Sequence, residues 1–563
     1  MNILLMVTPN YSIDMLNEDI SNIKKGECDF TKSVDWRPAA PLGILYIAGS
    51  LRKAGFDVQI FDLHRAYYLR REKNYFKKNN LSNFFEDHLK SILKTKQFDV
   101  LGISCLFNVS STTAMEIGNI CKRVSPSTRV VMGGHYPTNM YHEVLNSSSC
   151  DYVILGEAEK EFVWLISHFK DSSLDQKVLD NPHIVDSKCI GVPAKKPAFI
   201  KDLDSLAMPA WDVLPENKNY IEKSVHAGRV GFASKEKKVK SAPILTTRGC
   251  PMKCTFCAAH GVHGRTVRSH SIEYIMGHID SLVDNYDINN LLIEDDMFNY
   301  STKRAIEFCN KLYDKYQNRF TIEFPNGIAV WKLNEELIIS LRKIGLKSIT
   351  IAVESGSPYV QKEILKKNMN LSDVKKKVEL LKKYEIGVRV FYIVGLIGET
   401  INMMNETVQY ALDLNSDWSE VKIFTPLAGS EMYNIARGKG YLDNNTSEHV
   451  YNRSCLNTPD FSSEQVKDVQ YDANIRINFL NNRFLKEEKY EKAEKTFRGL
   501  LNNFPNHLFA QWGLWQALEG QEKVGESNKA LNKLLEMSET SAGNRRLLKK
   551  YQIHIPVEKK ICC

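Results

Sequence analysis

Short apolar runs separated by longer amphipathic stretches set the rhythm of this 563-residue chain. Up to about Phe169, the runs Ile3–Val7, Asp57–Phe61, Val100–Ser104, Arg129–Met132 and Tyr152–Leu155 predict strands. Between them, Leu42–Ala54, Ser111–Val124 and Glu159–Phe169 predict amphipathic helices. Such alternation implies a doubly wound, Rossmann-like parallel sheet, whose ligands bind in loops beyond the strands' C-terminal ends. Periodicity weakens from about Asp171 to Ala242, where Lys235-Glu236-Lys237-Lys238-Val239-Lys240 reads as a solvated loop. The rhythm then resumes. Ile244–Thr247, Asn290–Glu294, Phe320–Phe324, Ser348–Val353, Val388–Val394 and Glu420–Phe424 predict six strands separated by helices rich in Lys, Glu and Leu. From Phe461 onward no strand pattern remains. The expected architecture is α/β with an all-α end. A sheet domain spans 1–170, a connector 171–242, a six-unit β/α domain 243–445, and helices with a mobile tail 446–563.

Composition changes this picture little. Hydrophobic residues at 43% and charged residues at 25% are those of a globular protein, and the length calls for more than one core. The net charge of +8 is spread along the chain; it slightly favours an anionic substrate and otherwise reads as solvated surface. No run of about 18 apolar residues predicts a membrane span. Met1-Asn2-Ile3-Leu4-Leu5-Met6-Val7 enters a strand without the basic and long apolar regions of a signal peptide. A cytoplasmic location and no nucleic-acid partner are expected. In that setting twelve cysteines are not a disulfide framework. Cys28, Cys105, Cys121, Cys150, Cys189, Cys309 and Cys455 read as small buried hydrophobes, and Cys562-Cys563 ends the tail.

The remaining three cysteines stand together. Cys250, Cys254 and Cys257 have C-x3-C-x2-C spacing after the apolar run Pro243-Ile244-Leu245, with Gly249 and Pro251 turning the chain. Three thiolates on one loop can reach a single soft metal centre. Three rather than four suits an iron–sulfur cluster with one open iron better than a closed zinc site. A zinc knuckle completed by His260 or His263 stays open on spacing alone. Other polar residues gather at the strand ends, where β/α barrels place their chemistry. Glu294-Asp295-Asp296-Met297-Phe298 follows the second barrel strand and Glu354-Ser355-Gly356-Ser357 the fourth. Gly395-Leu396-Ile397-Gly398-Glu399-Thr400 follows the fifth and Thr425-Pro426-Leu427-Ala428-Gly429-Ser430 the sixth. Taken singly, each acid could be no more than a helix cap. In the first domain the corresponding loops are Thr8-Pro9-Asn10-Tyr11, Pro41-Leu42-Gly43, Gly133-Gly134-His135-Tyr136-Pro137-Thr138 and Gly156-Glu157-Ala158-Glu159.

The cysteine loop, with Phe256 before its third cysteine, resembles the signature of the radical SAM superfamily. The resemblance implies that Cys250, Cys254 and Cys257 hold a [4Fe–4S] cluster. S-adenosylmethionine would chelate the fourth iron and be cleaved reductively to a 5′-deoxyadenosyl radical. The strand-end elements are similar to that family's D-D-x-F, E-S-G, G-x-P-G-E-T (with Ile397 replacing proline) and P-x-P-G-T elements. They imply a partial (β/α)6 barrel and place S-adenosylmethionine against Phe256, Glu294, Asp295, Asp296, Glu354, Ser355, Gly395 and Gly398. The loops of the first 170 residues resemble the cobalamin-binding domain that precedes the radical core in one class of this superfamily. They place the corrin against Pro9, Asn10, Tyr11, Leu42, Gly43, Ser104, Gly133, Gly134, His135, Thr138, Gly156 and Glu157. One departure stands out. The D-x-H-x-x-G element is missing from Thr8–Ser12; Asp62-Leu63-His64 follows the second strand instead, with Tyr67 where glycine is needed. His64 therefore reads as a surface or loop histidine, and the cobalt as lacking a protein histidine.

What the resemblance implies is a cobalamin-dependent methyltransferase. Cobalt would take a methyl group from one S-adenosylmethionine and a second would give the radical. The methyl acceptor would be an unactivated carbon, or a phosphinate phosphorus, of a small-molecule or natural-product intermediate. No general base is demanded, so the catalytic residue stays unassigned. The same cofactors would serve a cyclisation, oxidation or ring rearrangement without net methyl transfer, and a regulator or scaffold with a vestigial cluster is the non-catalytic alternative. A flavodoxin- or ferredoxin-type reductant is the implied partner. In the C-terminal segment Tyr490, Ala493, Phe497, Leu500, Pro505, Trp512, Leu514 and Gly520 resemble a degenerate tetratricopeptide unit. One unit cannot bury its own apolar face, so a helical cap on the barrel is expected, with docking of a carrier protein or peptide as the sharper alternative.

Overall fold

The computed structural model describes residues 1–25, 38–73, 75–169, 174–190, 195–222, 239–442 and 456–556. Cys28, Cys455, Cys562, Cys563 and residues 235–238 of the basic run lie outside the described residues. The first domain is a sheet of β1 (Asn2–Val7), β2 (Asp57–Asp62), β3 (Val100–Ser104), β4 (Arg129–Gly133) and β5 (Tyr152–Ile154), in the order 2-1-3-4-5 and all parallel. Strand order reverses between β1 and β3, and the crevice beyond that switch point is where such sheets take a ligand. β1 is apolar from Ile3 to Val7 because Ile3 and Leu5 face one core and Leu4 and Met6 the other. The sheet continues past residue 170. β6 (Ile184–Val185) joins β5 antiparallel, and Gly156 bridges to Ala198.

The connector then wraps the second domain. Asp204 Oδ1 accepts from Ser271 N at 3.1 Å and lies 3.0 Å from His270 Nδ1, and buried Trp211 meets His278 at 3.3 Å. The second domain opens on β7 (Ser241–Ile244), three residues before the expected Ile244–Thr247. Pro243 has no N–H to donate, and β7 tolerates it because it is an edge strand pairing only with its single neighbour. Thr247–Arg248 instead forms β8, a short antiparallel ribbon with β9 (Arg268–Ser269) that closes the base of the cysteine loop. β10 (Asn290–Ile293) and β11 (Thr321–Glu323) extend β7, while β12 (Ser348–Glu354), β13 (Gly387–Val394) and β14 (Trp418–Ile423) form a second parallel sheet. A bridge between Ile322 and Leu346 joins the two into a six-stranded partial barrel. Along β13, Val388, Val390, Tyr392 and Val394 are buried against the outer helices, so Arg389, Phe391 and Ile393 face the lumen.

A partial barrel leaves edges, and the C-terminal helices cover one of them. On the helix Ser463–Ile475 and the turn after it, Gln470, Asn474 and Asn478 recur every fourth residue. Gln470 and Asn474 donate to Val421 O at 3.0 and 3.3 Å, and Asn478 accepts from Ser419 N (2.8 Å) and donates to Ser419 O (2.6 Å). Three side-chain amides thus do what a seventh strand would do for β14. Beyond them, the helices Tyr490–Asn503, Leu508–Glu519 and Val524–Thr540 enclose their own core around Phe497, Phe509 and Leu534. Trp515 belongs to that core. Among the described residues no helix is long and apolar enough to cross a membrane.

Candidate functional site

The cysteine loop is stitched into the barrel along its whole length. Gly249 has φ +96°, and a Cβ there would meet Thr266 O at 2.3 Å, so only glycine fits the turn. Its N–H donates to Asp296 Oδ2 (3.2 Å), and Cys250 N donates to Gly264 O (3.2 Å). Thr255 donates through N to Leu365 O (3.1 Å) and through Oγ1 to Ile364 O (2.7 Å), and it accepts from Met432 N (3.0 Å). Burial pushes all three thiols up, Cys254 to about 12. Losing those protons needs a compensating cation, which a bound metal supplies. Among the described residues no three His, Cys, Asp or Glu side chains converge on one ion position. His263, a candidate zinc ligand by spacing, instead sets Nδ1 2.9 Å from Asp296 Oδ2.

The three adjacent acids after β10 separate into two kinds. Asp295 is buried and spent: it accepts from Thr246 N (2.6 Å) and Thr247 Oγ1 (3.0 Å) and from the Thr246 hydroxyl, tying β10 to the start of the cysteine loop. Burial still lifts it to about 6. Asp296 is half-buried, yet His263 and the Gly249 amide hold it below the usual carboxylate range. Glu294 continues the lumen-facing phase of Asn290 and Leu292 and meets no donor or cation among the described residues. Desolvation, then Asp295, pushes it up to about 7.

At the end of β12, Glu354 has φ +71° at a register shift, a conformation costly for a side chain bearing a Cβ. Lys367 holds it, donating from Nζ to Glu354 Oε1 (3.0 Å) and Ala352 O (2.6 Å). Lys367 itself sits between two further left-handed residues, Lys366 (φ +53°) and Asn368 (φ +52°), after a π-helical turn. Ser355 works inside the fold, hydrogen-bonded with Thr407 Oγ1 (2.9 Å) and accepting from Ser357 N (3.1 Å). Gly395 (φ +82°) and Gly398 (φ +87°) both take left-handed backbone that favours glycine, and a Cβ on Gly395 would also meet Val466 of the C-terminal helix at 2.8 Å. Phe256 packs half-buried against the main core.

The first domain presents its C-terminal edge to this mouth. Asn108, after β3, donates to Pro426 O and accepts from Ala428 N, both at 3.2 Å. His135, after β4, is pushed down to about 4 by burial, and its ring stands 6.0 Å from that of His263. Gly134 (φ +111°) spares a clash with Cys105 O, while a Cβ on Gly133 would meet only Ile154 O at 3.9 Å. Thr138 Oγ1 accepts from Gly156 N (3.0 Å), and Ser104 O accepts from Thr8 Oγ1 (2.9 Å). Of Gly156 and Glu157, expected at the corrin, Gly156 bridges to Ala198 at the end of the sheet and Glu157 is engaged at the domain junction. Ala198 O lies 2.5 Å from where a Gly156 Cβ would stand, and Glu157 accepts from both Arg268 terminal nitrogens (2.7 and 2.8 Å) and Ile200 N (2.6 Å). Beside it Arg248 donates to Glu159 at 2.6 Å. Pro9, Asn10 and Tyr11 border the switch point, and Leu42 is buried at the start of the helix Leu42–Lys53. Gly43 there has open space around it. His64, expected to be a surface or loop histidine, lies in the first turn of the helix Leu63–Glu72 and is 4% exposed, with its ring edge-on to Tyr11 at 5.4 Å.

Two family models match in the same order as these domains: the B12 binding domain over residues 38–166 and the radical SAM superfamily over residues 244–411. The chain is a cobalamin-binding radical SAM enzyme. It is similar to cytidylyl-2-hydroxyethylphosphonate methyltransferase of Streptomyces wedmorensis, 24% identical over 487 residues, or 81% of this chain and 89% of that one. Its fold is that of the radical S-adenosylmethionine methyltransferase TsrM from Kitasatospora setae, solved with cobalamin and a [4Fe–4S] cluster (TM-score 0.56, 15% identity, 78% of this chain and 76% of that chain). It is also that of the cobalamin-dependent radical enzyme OxsB with aqua-cobalamin and S-adenosylmethionine (TM-score 0.58, 15% identity, 99% and 82%). Among the described residues this radical SAM enzyme offers donor sets of the right kind: the thiols of Cys250, Cys254 and Cys257 with Asp296 and Glu354 near them, the unpartnered carboxylate of Glu294 at the end of β10, and a crevice at the switch point. Sequence reasoning missed Lys367, Arg248 and Arg268, which only the fold brings to the site.

Proposed function

We propose that this enzyme transfers a methyl group from S-adenosylmethionine to an unactivated carbon, or a phosphinate phosphorus, of a small-molecule intermediate. The observation that carries the reading is the apposition of two C-terminal edges. Asn108, His135 and Glu157 of the sheet meet Pro426, His263 and Arg268 of the barrel, so groups bound at the two edges would face each other. Cys250, Cys254 and Cys257 would hold the [4Fe–4S] cluster, with Asp296 and Glu354 beside them. Glu294 would accept hydrogen bonds from the ammonium of the methionine moiety, and Lys367 would stand against its carboxylate. Phe256 and Gly398 would border the same molecule, with Asp295, Ser355 and Gly395 bracing the loops behind. Pro9, Asn10, Tyr11, Leu42, Gly43, Ser104, Gly134, His135 and Thr138 would border the corrin. When bound, the cluster and cobalamin supply one-electron reduction and methyl carriage. The residues of the chain would orient S-adenosylmethionine, and the ion pairs at the junction hold the two edges together. A flavodoxin- or ferredoxin-type reductant is the implied electron source. The name of the Streptomyces relative, a methyltransferase acting on a phosphonate, supports the reaction type.

The test is an anaerobic incubation of cluster- and cobalamin-loaded protein with methyl-labelled S-adenosylmethionine, strong reductant and a panel of candidate small-molecule acceptors, phosphonates among them. Methyl transfer predicts labelled acceptor together with S-adenosylhomocysteine. If 5′-deoxyadenosine accumulates while no S-adenosylhomocysteine forms, the enzyme runs a cyclisation or rearrangement instead.

A further inference from the structure

The short ribbon at the base of the cysteine loop sets two like charges side by side. Arg248 of β8 and Arg268 of β9 are direct cross-strand partners, and like charges so placed repel each other. The first domain supplies the counter-charge. Glu157 and Glu159, which follow β5, bring two buried carboxylates to the ribbon. Glu157 accepts from both terminal nitrogens of Arg268 (2.7 and 2.8 Å), and Glu159 accepts from Arg248 (2.6 Å), with Glu157 a further 3.6 Å from Arg248. The Arg248 guanidinium also lies over the ring of Tyr46 from the helix Leu42–Lys53, 5.2 Å from its centroid.

Both arginines lead on to the thiols. Only Gly249 separates Arg248 from Cys250. Arg268 donates to His263 O (2.6 Å), and the next carbonyl, Gly264 O, accepts from Cys250 N (3.2 Å). The His263 ring in turn meets Asp296, which accepts from Gly249 N (3.2 Å). Sealing a junction needs no charge, since apolar side chains of similar volume often do it as well or better. What charge-assisted bonds add is direction, most of all the bidentate pair at Arg268, which fixes the plane of the guanidinium as well as its place.

We propose that Glu157 and Glu159 are positioning residues for the cysteine loop. Acting through Arg268 and Arg248, they make docking of the first domain a condition for that loop to hold its cluster tightly. The inference rests on the reading that Cys250, Cys254 and Cys257 bind a [4Fe–4S] cluster.

The experiment uses the full-length protein loaded anaerobically with iron and sulfide, without S-adenosylmethionine. Iron bound per chain is measured first, then the chelator concentration that strips half of it, and the electron paramagnetic resonance spectrum of the reduced cluster. Glu159→Gln leaves Glu157 beside Arg248, and Arg248→Lys keeps the charge but not the planar guanidinium. Should one of them fail to fold, the other carries the test. Losing an outer partner of a metal ligand typically costs about 10- to 100-fold in metal affinity. Both variants should therefore give up half their iron at a chelator concentration about 10-fold lower than wild type, with shifted g-values. Tyr220→Phe is the control: it removes a bond from the connector to Asp62 (2.6 Å) that does not touch the cysteine loop, and it should match wild type on both readouts. Folded variants with wild-type chelator resistance and g-values would overturn the proposal, as would an equal loss in Tyr220→Phe. Wild-type protein that takes up no iron would overturn the cluster reading, and the inference with it.

Discussion

In the helical cap Glu494 accepts from Arg498 (2.7 Å), Lys523 (2.8 Å) and Gln521 (2.9 Å), and these partners hold it near 2. At the barrel mouth Glu294 is half-buried and Glu399 buried, neither with a cation among the described residues, and desolvation pushes them up to about 7 and about 8. Glu399 spends one oxygen on Gly395 N (2.9 Å) and Leu396 N (3.0 Å) while its Oε1 has no partner. The cap uses its carboxylates as finished ion pairs; the mouth keeps carboxylates uncompensated, in a state that a cationic or donor ligand relieves. Folding alone does not produce the second arrangement, because an unpaired buried carboxyl costs stability. Acid-to-amide changes in the two kinds of place should therefore have opposite consequences.

The largest effect is expected at the domain junction, where Glu157 is the most fully engaged acid. Glu157→Gln leaves Arg268 buried without its charge partner, and breaking such a pair typically costs about 3–5 kcal/mol. Chemical denaturation of the variant should show this loss. An unchanged midpoint would mean that the junction is not held by these ion pairs.

Glu399→Gln should act in the other direction. A carboxyl with its folded pKa raised to about 8 keeps its proton in the native state where the unfolded chain has lost it. The stability this contributes is complete below about pH 4.5 and drains away as pH rises toward 8. Glutamine can still accept from Gly395 N and Leu396 N and has no proton to lose. The variant should be more stable than wild type by up to about 3 kcal/mol at pH 7, with the difference closing toward pH 4.5. A difference independent of pH would remove desolvation of Glu399 as its cause.

Much of this was legible in the chain. Parallel strands buried on both faces, such as β1 and β3, read as continuous apolar runs, and the alternating edge strand β2 keeps its period of two, so β1 to β5 fell close to their expected positions, with β3 ending at Ser104 as expected. The first barrel strand begins at Ser241, three residues before the expected Ile244, and Pro243 is tolerated there because β7 is an edge strand. Glu294, Asp295 and Asp296 look alike in sequence; the inward phase of β10 leaves one free, while Thr246 and His263 take the other two. Lys367 carries no pattern, since a π-turn and two left-handed residues aim it. The pair Glu157–Arg268 spans 111 residues, a distance over which local periodicity carries no information. Gln470, Asn474 and Asn478 read as an ordinary polar helix face until β14 is placed beside them.

Glu294→Gln separates ligand affinity from stability. It has no partner to lose, so the melting temperature of the free protein should hold or rise. The affinity for S-adenosylmethionine should fall by about 10- to 150-fold, the value of about 1.5–3 kcal/mol for a hydrogen bond to a charged group. A carboxyl titrating at about 7 is mostly protonated at pH 6 and mostly ionised at pH 8, and only the ionised form pairs with an ammonium. Wild-type affinity measured calorimetrically on the cluster-loaded protein should therefore strengthen between these pH values, and that of the variant should stay flat.

The smallest effect belongs to the cap. Arg498 and Lys523 are themselves 43% and 42% exposed, so water screens their attraction to Glu494 and the rotamers they give up offset part of the gain. Glu494→Gln should cost about 1 kcal/mol or less at pH 7. Because the native pKa is depressed, that contribution is present above about pH 4.5 and is lost as pH falls toward 2. Added salt should shrink it further. If the variant instead lost as much stability as Glu157→Gln, solvent exposure would not be what separates the two pairs, and the cap would have to be treated as a second junction rather than an outer cover.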